Sequence, residues 1–143
     1  MKIDFYKPIK GNYLDITRAT DEVFSTLMLG PGFVVIPKDI HVYAPFHGKI
    51  KMIYPTLHAI AISTNDFDVL IHIGLTDRLR NPDLFDVHVK VNDDVEIGDL
   101  LITFKFDLLN YRQVDLETPI VFVQKSELTI TRETKQMISL TIK

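Results

Sequence analysis

Residues 58–74 read His58-Ala-Ile-Ala-Ile-Ser63, then Thr64-Asn65-Asp66, then Phe67-Asp-Val-Leu-Ile-His-Ile-Gly74. Two runs rich in Ile, Val and Phe flank three residues of turn-forming type, the pattern of a β-hairpin. The same texture extends outward. Further short apolar runs stand at Gly32–Ile36, Gly48–Tyr54, Leu100–Lys105, Ile120–Lys125 and Ile138–Ile142, most of them bounded by Gly, Pro, Asn or Asp. Long helical stripes are absent. Seven or more short strands at this spacing predict an all-β chain, an antiparallel sandwich or barrel. Asp107–Asp115, with Leu108, Leu109 and Val114, is expected to hold no more than a helical turn or a short helix.

Composition bounds the function. The 143 residues suit a single domain over residues 1–143, since domains cluster at roughly 100–150 residues. With 46% hydrophobic and 24% charged residues the chain has globular composition, which excludes disorder for its bulk. A net charge of −3 disfavours generic binding to nucleic acid or anionic membrane. There is no cysteine, which removes disulfides, thiolate nucleophiles and cysteine-rich zinc sites. The N-terminus has no apolar segment of signal type, and runs such as Gly32–Ile36 and Val69–Leu75 are too short to span a bilayer. A cytoplasmic protein that is not membrane-embedded is expected.

A weak internal echo is present. Pro8-Ile-Lys-Gly11 precedes apolar Leu14 and Ile16, and Pro45-Phe-His-Gly48 precedes Ile50 and Ile53. A fixed-φ proline and a permissive glycine would make two similar turns feeding equivalent strands. Duplication of a half-barrel accounts for this, as does chance recurrence of a common turn. Glu96-Ile-Gly-Asp99 before Leu100 is a third turn into a strand.

Of the five histidines, His41, His47 and His88 read as surface or half-buried polar residues. His58 and His72 are harder to dismiss, because an imidazole in an apolar strand needs a reason. With Thr64–Asp66 as a three-residue loop, Ser63 pairs with Phe67, and stepping back along both strands puts His58 directly across from His72. Opposed residues have Cβ atoms roughly 4.5–5.5 Å apart, so the rings can touch. A four-residue loop would instead send them to opposite faces.

Two adjacent imidazoles suit metal ligation, general acid–base work, or a nucleophile steadied by a donor. Metal-dependent hydrolysis needs a third ligand, and neither His-x-His nor His-Glu-x-x-His occurs. No Gly-x-Ser-x-Gly and no Gly-x-x-x-x-Gly-Lys occurs either. The nucleophile–donor arrangement needs the fewest residues. A neutral ring nitrogen can accept a phosphoryl group while the second histidine donates N–H to its oxygens. Gly74 could leave a carbonyl free to hold His72 Nδ1–H and aim Nε2 outward. Thr56 could orient His58 through its hydroxyl.

Nearly the whole chain resembles the glucose-family enzyme IIA of the bacterial phosphoenolpyruvate:sugar phosphotransferase system. The resemblance is carried by residues 30–37, 43–50, Thr56-Leu-His-Ala-Ile60, Val69-Leu-Ile-His-Ile-Gly-Leu75, 91–101 and Thr118-Pro-Ile-Val121. Leu70-Ile-His-Ile-Gly74 is similar to the family's phosphorylation-site signature. The resemblance implies a β-sandwich or barrel of the duplicated hybrid motif type. It implies that His72 accepts a phosphoryl group at Nε2 from phospho-HPr, that His58 hydrogen-bonds that group, and that Thr56 orients His58. The phosphoryl group would then pass to a cysteine of a IIB domain or IIBC permease. Val23, Phe24, Leu29, Tyr54 and Leu70 are candidates by position for docking these partners. The chain departs from the family's pattern in having Thr76-Asp77 where the carboxylate usually comes one residue earlier. It also places Arg78 on the docking rim, where an apolar residue is usual; a cation there would repel a basic carrier. No cofactor is required, although His58 and His72 could bind zinc opportunistically if a partner supplied a carboxylate. The alternative function is a regulatory docking module of the same fold. A zinc hydrolase is disfavoured by the missing His-x-His.

Overall fold

The computed structural model describes residues 1–143. In chain order its strands are β1 (Lys2–Tyr6), β2 (Gly11–Asp15), β3 (Gly32–Pro37), β4 (His41–Tyr43), β5 (Gly48–Ile53), β6 (Ala59–Ser63), β7 (Asp68–His72), β8 (Phe85–Val87), β9 (Asp94–Val95), β10 (Leu100–Phe104), β11 (Thr118–Phe122), β12 (Leu128–Glu133) and β13 (Met137–Ile142). Two single-turn helices, α1 (Glu22–Ser25) and α2 (Gln113–Leu116), and four 3-10 turns complete it. All seven expected strands are present, and the segment 107–115 holds a 3-10 turn (Leu108–Asn110) and the start of α2. No helix is long and apolar enough to cross a membrane.

Every strand pairing is antiparallel. A seven-stranded sheet runs β2-β3-β11-β7-β6-β5-β9, and two three-stranded sheets run β1-β13-β12 and β4-β10-β8. Side-chain alternation sorts the central strands between two faces. Ile60, Ile62, Val69, Ile71, Ile120 and Phe122 face the main core, where they meet Phe5, Val42, Leu101, Ile138 and Leu140 of the smaller sheets. Ala59, Ala61, Leu70, Val121 and Val34 face the other way, under Ile16, Ala19 and Phe24. Each large aliphatic side chain so buried contributes roughly 1.5–3 kcal/mol. Ala59 and Ala61 are small, so the second face is the one with room beside its strands.

The Pro-x-x-Gly echo is structural, with a different reason for glycine. Gly11 opens β2 against β3, and Gly48 opens β5 against β6. Neither has positive φ. A Cβ on Gly11 would stand 2.2 Å from the Ile36 carbonyl oxygen, and one on Gly48 would stand 2.5 Å from that of Ser63. Close approach of two backbones at equivalent hairpin starts demands glycine, not a left-handed turn.

The hairpin register differs from expectation by one residue. Ser63 pairs with Asp68, and Ala59, not His58, pairs with His72. The loop therefore has four residues, Thr64–Phe67. Thr64 closes it by donating its backbone N–H and its hydroxyl to the Phe67 carbonyl. Its Oγ1 also accepts the N–H groups of Asp66 and Phe67. This hydroxyl-built turn adds the residue that a simple turn count leaves out.

Candidate active site

His72 ends β7 on the small-residue face, directly across from Ala59. In strict alternation His58 would point to the opposite face. It does not, because it lies before β6 in the turn that follows β5, and Leu57 takes a φ of 63°. That turn is closed by Leu57 N–H to the Tyr54 carbonyl (2.8 Å) and Tyr54 N–H to the Ala59 carbonyl (3.0 Å). The left-handed residue breaks the alternation and returns the His58 ring to the face of His72. The imidazoles meet edge to face, with centroids 4.9 Å apart and planes at 83°. They are together as expected, by a route other than direct cross-strand pairing.

Thr56 stands where the sequence suggests. Its Oγ1 lies 2.5 Å from His58 Nδ1. Tyr54 packs edge-on against both imidazoles, at 5.3 Å from His58 and 6.4 Å from His72. Phe24 lies 5.1 Å from the His72 ring. His58 keeps only 5% of its surface exposed, whereas His72 is half-buried and the more open of the two.

The two nitrogens of His72 differ. Nδ1 is sealed from solvent and has no hydrogen-bond partner. The carbonyls of Gly74 and of His72 itself push the ring's pKa up, although neither meets Nδ1 in hydrogen-bond geometry. With the proton of the neutral ring on Nδ1, the lone pair is left on Nε2. Gly74 has φ 77°, and a Cβ there would meet Leu79 Cδ1 at 2.4 Å. Its carbonyl accepts Arg80 Nη2–H at 3.0 Å, so Arg80 shares the oxygen expected to hold His72.

Burial lowers the pKa of both imidazoles from the ordinary 6.5 to about 4. Arg80 adds to the lowering at each. The neighbouring His72 lowers His58 further, while Gly74 and Asp21 partly oppose the lowering at His72. Both rings are therefore neutral at pH 7, as a nitrogen nucleophile and a neutral N–H donor require.

The rim is mixed. Val23 is exposed, Leu29 and Tyr54 are half-buried, and Arg78 is exposed with its guanidinium 4.6 Å from the Tyr111 ring centre. Phe24 and Leu70 keep only 5% and 7% of their surface, so they offer little area for docking; Phe24 packs on the His72 ring and Leu70 on the second core face. Thr76 caps the 3-10 turn Asp77–Leu79 by accepting Arg78 N–H, which gives the displaced Thr76-Asp77 pair a local role. His47 and His88 are exposed, as expected.

Three residues escaped the sequence reading. Asp21 caps α1 by accepting Val23 N–H at 2.9 Å and acts electrostatically on His72; an acidic residue just before Glu22-Val23-Phe24 is a helix-start signal. Buried Glu117 accepts Thr20 N–H at 2.8 Å and the Thr20 hydroxyl at 2.5 Å, tying the segment that carries α1 to β11. Arg80 reaches the site through a turn that no periodicity reveals. No cluster of three or more His, Cys, Asp or Glu side chains is placed to hold a metal ion.

Comparison with known proteins adds three findings. A family model described as phosphoenolpyruvate-dependent sugar phosphotransferase system, EIIA 1, matches residues 3–128. Over 126 residues the chain is 36% identical to the PTS system glucose-specific EIIA component of Halalkalibacterium halodurans, covering 87% of this chain and 73% of that protein. Its fold matches the solved structure of glucose permease IIA from Mycoplasma capricolum with a TM-score of 0.82 and 29% identity, over 98% of this chain and 96% of the other.

Proposed function

Because this chain belongs to the EIIA 1 family of the phosphoenolpyruvate-dependent sugar phosphotransferase system, we propose that His72 Nε2 is the atom that carries its phosphoryl group. The chain is a phosphocarrier in sugar uptake, a phosphotransferase component whose partners are other proteins of that system. The observation that supports His72 is the edge-to-face imidazole pair, 4.9 Å apart, in which His72 is the more open ring and its Nδ1 is sealed.

Phospho-HPr is the proposed donor. The Nε2 lone pair attacks phosphorus as the donor's P–N bond breaks, and that bond's electron pair returns to the donor ring. The Thr56 hydroxyl donates to His58 Nδ1, which leaves His58 Nε2–H to bond the phosphoryl oxygens. A cysteine thiolate of a IIB domain or IIBC permease then attacks the same phosphorus, and the electron pair returns to His72 Nε2. This chain has no cysteine of its own, so the acceptor is proposed on another domain or polypeptide. The relatives named for glucose make a glucose-class permease the first acceptor to test. Work in the cytoplasm follows from the proposed donor. Two imidazoles give zinc only half of a tetrahedral set, so the carrier reaction is written without metal.

The test is incubation with phosphoenolpyruvate, enzyme I and HPr. An acid-labile, base-stable phosphoryl group should appear on His72 and be absent from His72→Ala. Labelling that survives this substitution removes His72 from the role.

A further inference from the structure

We propose that Arg80 is a positioning residue for phosphotransfer, locking the backbone that follows the phosphoacceptor and supplying the cation that favours the phosphorylated state. The inference rests on His72 being the acceptor.

Residues 76–80 carry the geometry. Thr76 caps the 3-10 turn Asp77–Leu79, and Arg80 N–H closes it onto the Asp77 carbonyl. Leu79 is fully buried against Gly74, so the turn is anchored beneath the site. The Arg80 side chain then runs back to residues 73 and 74. Nη1 donates to the Ile73 carbonyl at 3.2 Å, and Nη2 donates to the Gly74 carbonyl at 3.0 Å. One planar fork thereby holds both peptide units next to His72, a task that suits guanidinium and not ammonium.

The charge is the second observation. Arg80 is half-buried, yet no carboxylate comes within 4.0 Å of it. Asp77 and Asp21 act on it only at longer range. A partly desolvated cation satisfied by carbonyls alone is costly unless an anion joins it. The two imidazoles lie within its electrostatic reach, since it lowers the pKa of each. A phosphoryl group on His72 Nε2 brings two negative charges into that field. Arg80 thus disfavours imidazolium, which cannot accept, and favours the phosphorylated ring.

The test compares wild type with Arg80→Gln and Arg80→Lys. One readout is the fraction of His72 phosphorylated at fixed ratios of phospho-HPr to HPr. The other is the titration of the two imidazoles, followed by NMR without phosphate. Arg80→Gln is expected to lower the phosphorylation equilibrium constant about tenfold and to raise both imidazole pKa values. Arg80→Lys should keep those values low while restoring only part of the equilibrium. In wild type, phosphorylation should shift the Arg80 guanidinium resonances, a measurement that needs no variant to fold. An unchanged equilibrium and titration in Arg80→Gln, or guanidinium resonances indifferent to phosphorylation, would overturn the role of Arg80. Wild type that never labels on His72 would instead overturn the carrier reading beneath it.

Discussion

The ring of His58 meets the ring of His72 edge to face at 4.9 Å, although the residue directly across the ladder from His72 is Ala59. The meeting depends on the left-handed Leu57 and the Thr56 contact, not on strand register. The near-perpendicular planes keep the rings from stacking. The two histidines are therefore positioned by different devices, one by a strand and one by a turn, and their contributions separate by mutation.

His58→Gln keeps an N–H donor but not its placement against Thr56. His72 should still accept phosphate from the donor, because its own nitrogen and backbone are unchanged. Onward transfer should slow by about 10²-fold, the scale of losing one well-aimed donor to a developing charge. Single-turnover transfer from the phosphorylated variant to a IIB domain measures this. An onward rate equal to wild type would show that His58 does not steady the phosphoryl group.

Thr56→Val removes the hydroxyl with little change in shape. A hydrogen bond of about 1 kcal/mol is lost, so the proportion of correctly protonated His58 and the onward rate should fall roughly fivefold to tenfold. Nitrogen chemical shifts should report a mixed tautomer for His58, and Thr56→Ser should restore a single one. A single tautomer in Thr56→Val would place the control elsewhere.

Much of the scaffold is legible because burial leaves a mark on residue type. The strands read from the sequence are mainly those that fill the core, such as Gly32–Pro37 and Thr118–Phe122. β12 and β9 escape because they sit at sheet edges, β12 exposed along most of its length and β9 only two residues long, and need no apolar alternation. The histidine pair is legible from residue type and motif, but its register is not. The Thr64 side chain enlarges the loop by a mechanism that leaves the alternating pattern intact. Arg80 is illegible for a similar reason: its partners are backbone carbonyls, which carry no sequence signal.

Glu117 tests whether the α1 segment must be pinned for the site to form. Its buried carboxylate satisfies two donors of Thr20, and Phe24 from the same segment packs on His72. Glu117→Ala strands a backbone N–H and should cost about 1–3 kcal/mol. Glu117→Gln, which can still accept one bond, should cost less. Urea midpoints measure the loss, and loss of contacts between Phe24 and His72 in NMR spectra should accompany it. A variant that unfolds like wild type with that contact intact would free the segment from dependence on Glu117.

Acid should weaken the fold before the carboxylates titrate. His58 and His72 have native pKa values of about 4, against roughly 6.5 when unfolded. Between these values the unfolded chain binds protons that the native chain does not, so stability rises with pH across this window. The contribution is complete above about pH 6.5, shrinks as pH falls, and is spent near pH 4. With solvent screening of the partly open rings it amounts to on the order of 1–2 kcal/mol for the pair. Asp68, held low by the Lys51 hydrogen bond, and Asp115, held low by the Arg112 hydrogen bond, add losses only at lower pH. Denaturation of wild type and of a His58→Gln, His72→Gln double variant at pH 7, 5.5 and 4.5 separates the terms. The double variant should lose less stability between pH 7 and 4.5, and parallel losses in the two proteins would show that the imidazoles titrate normally in the folded chain.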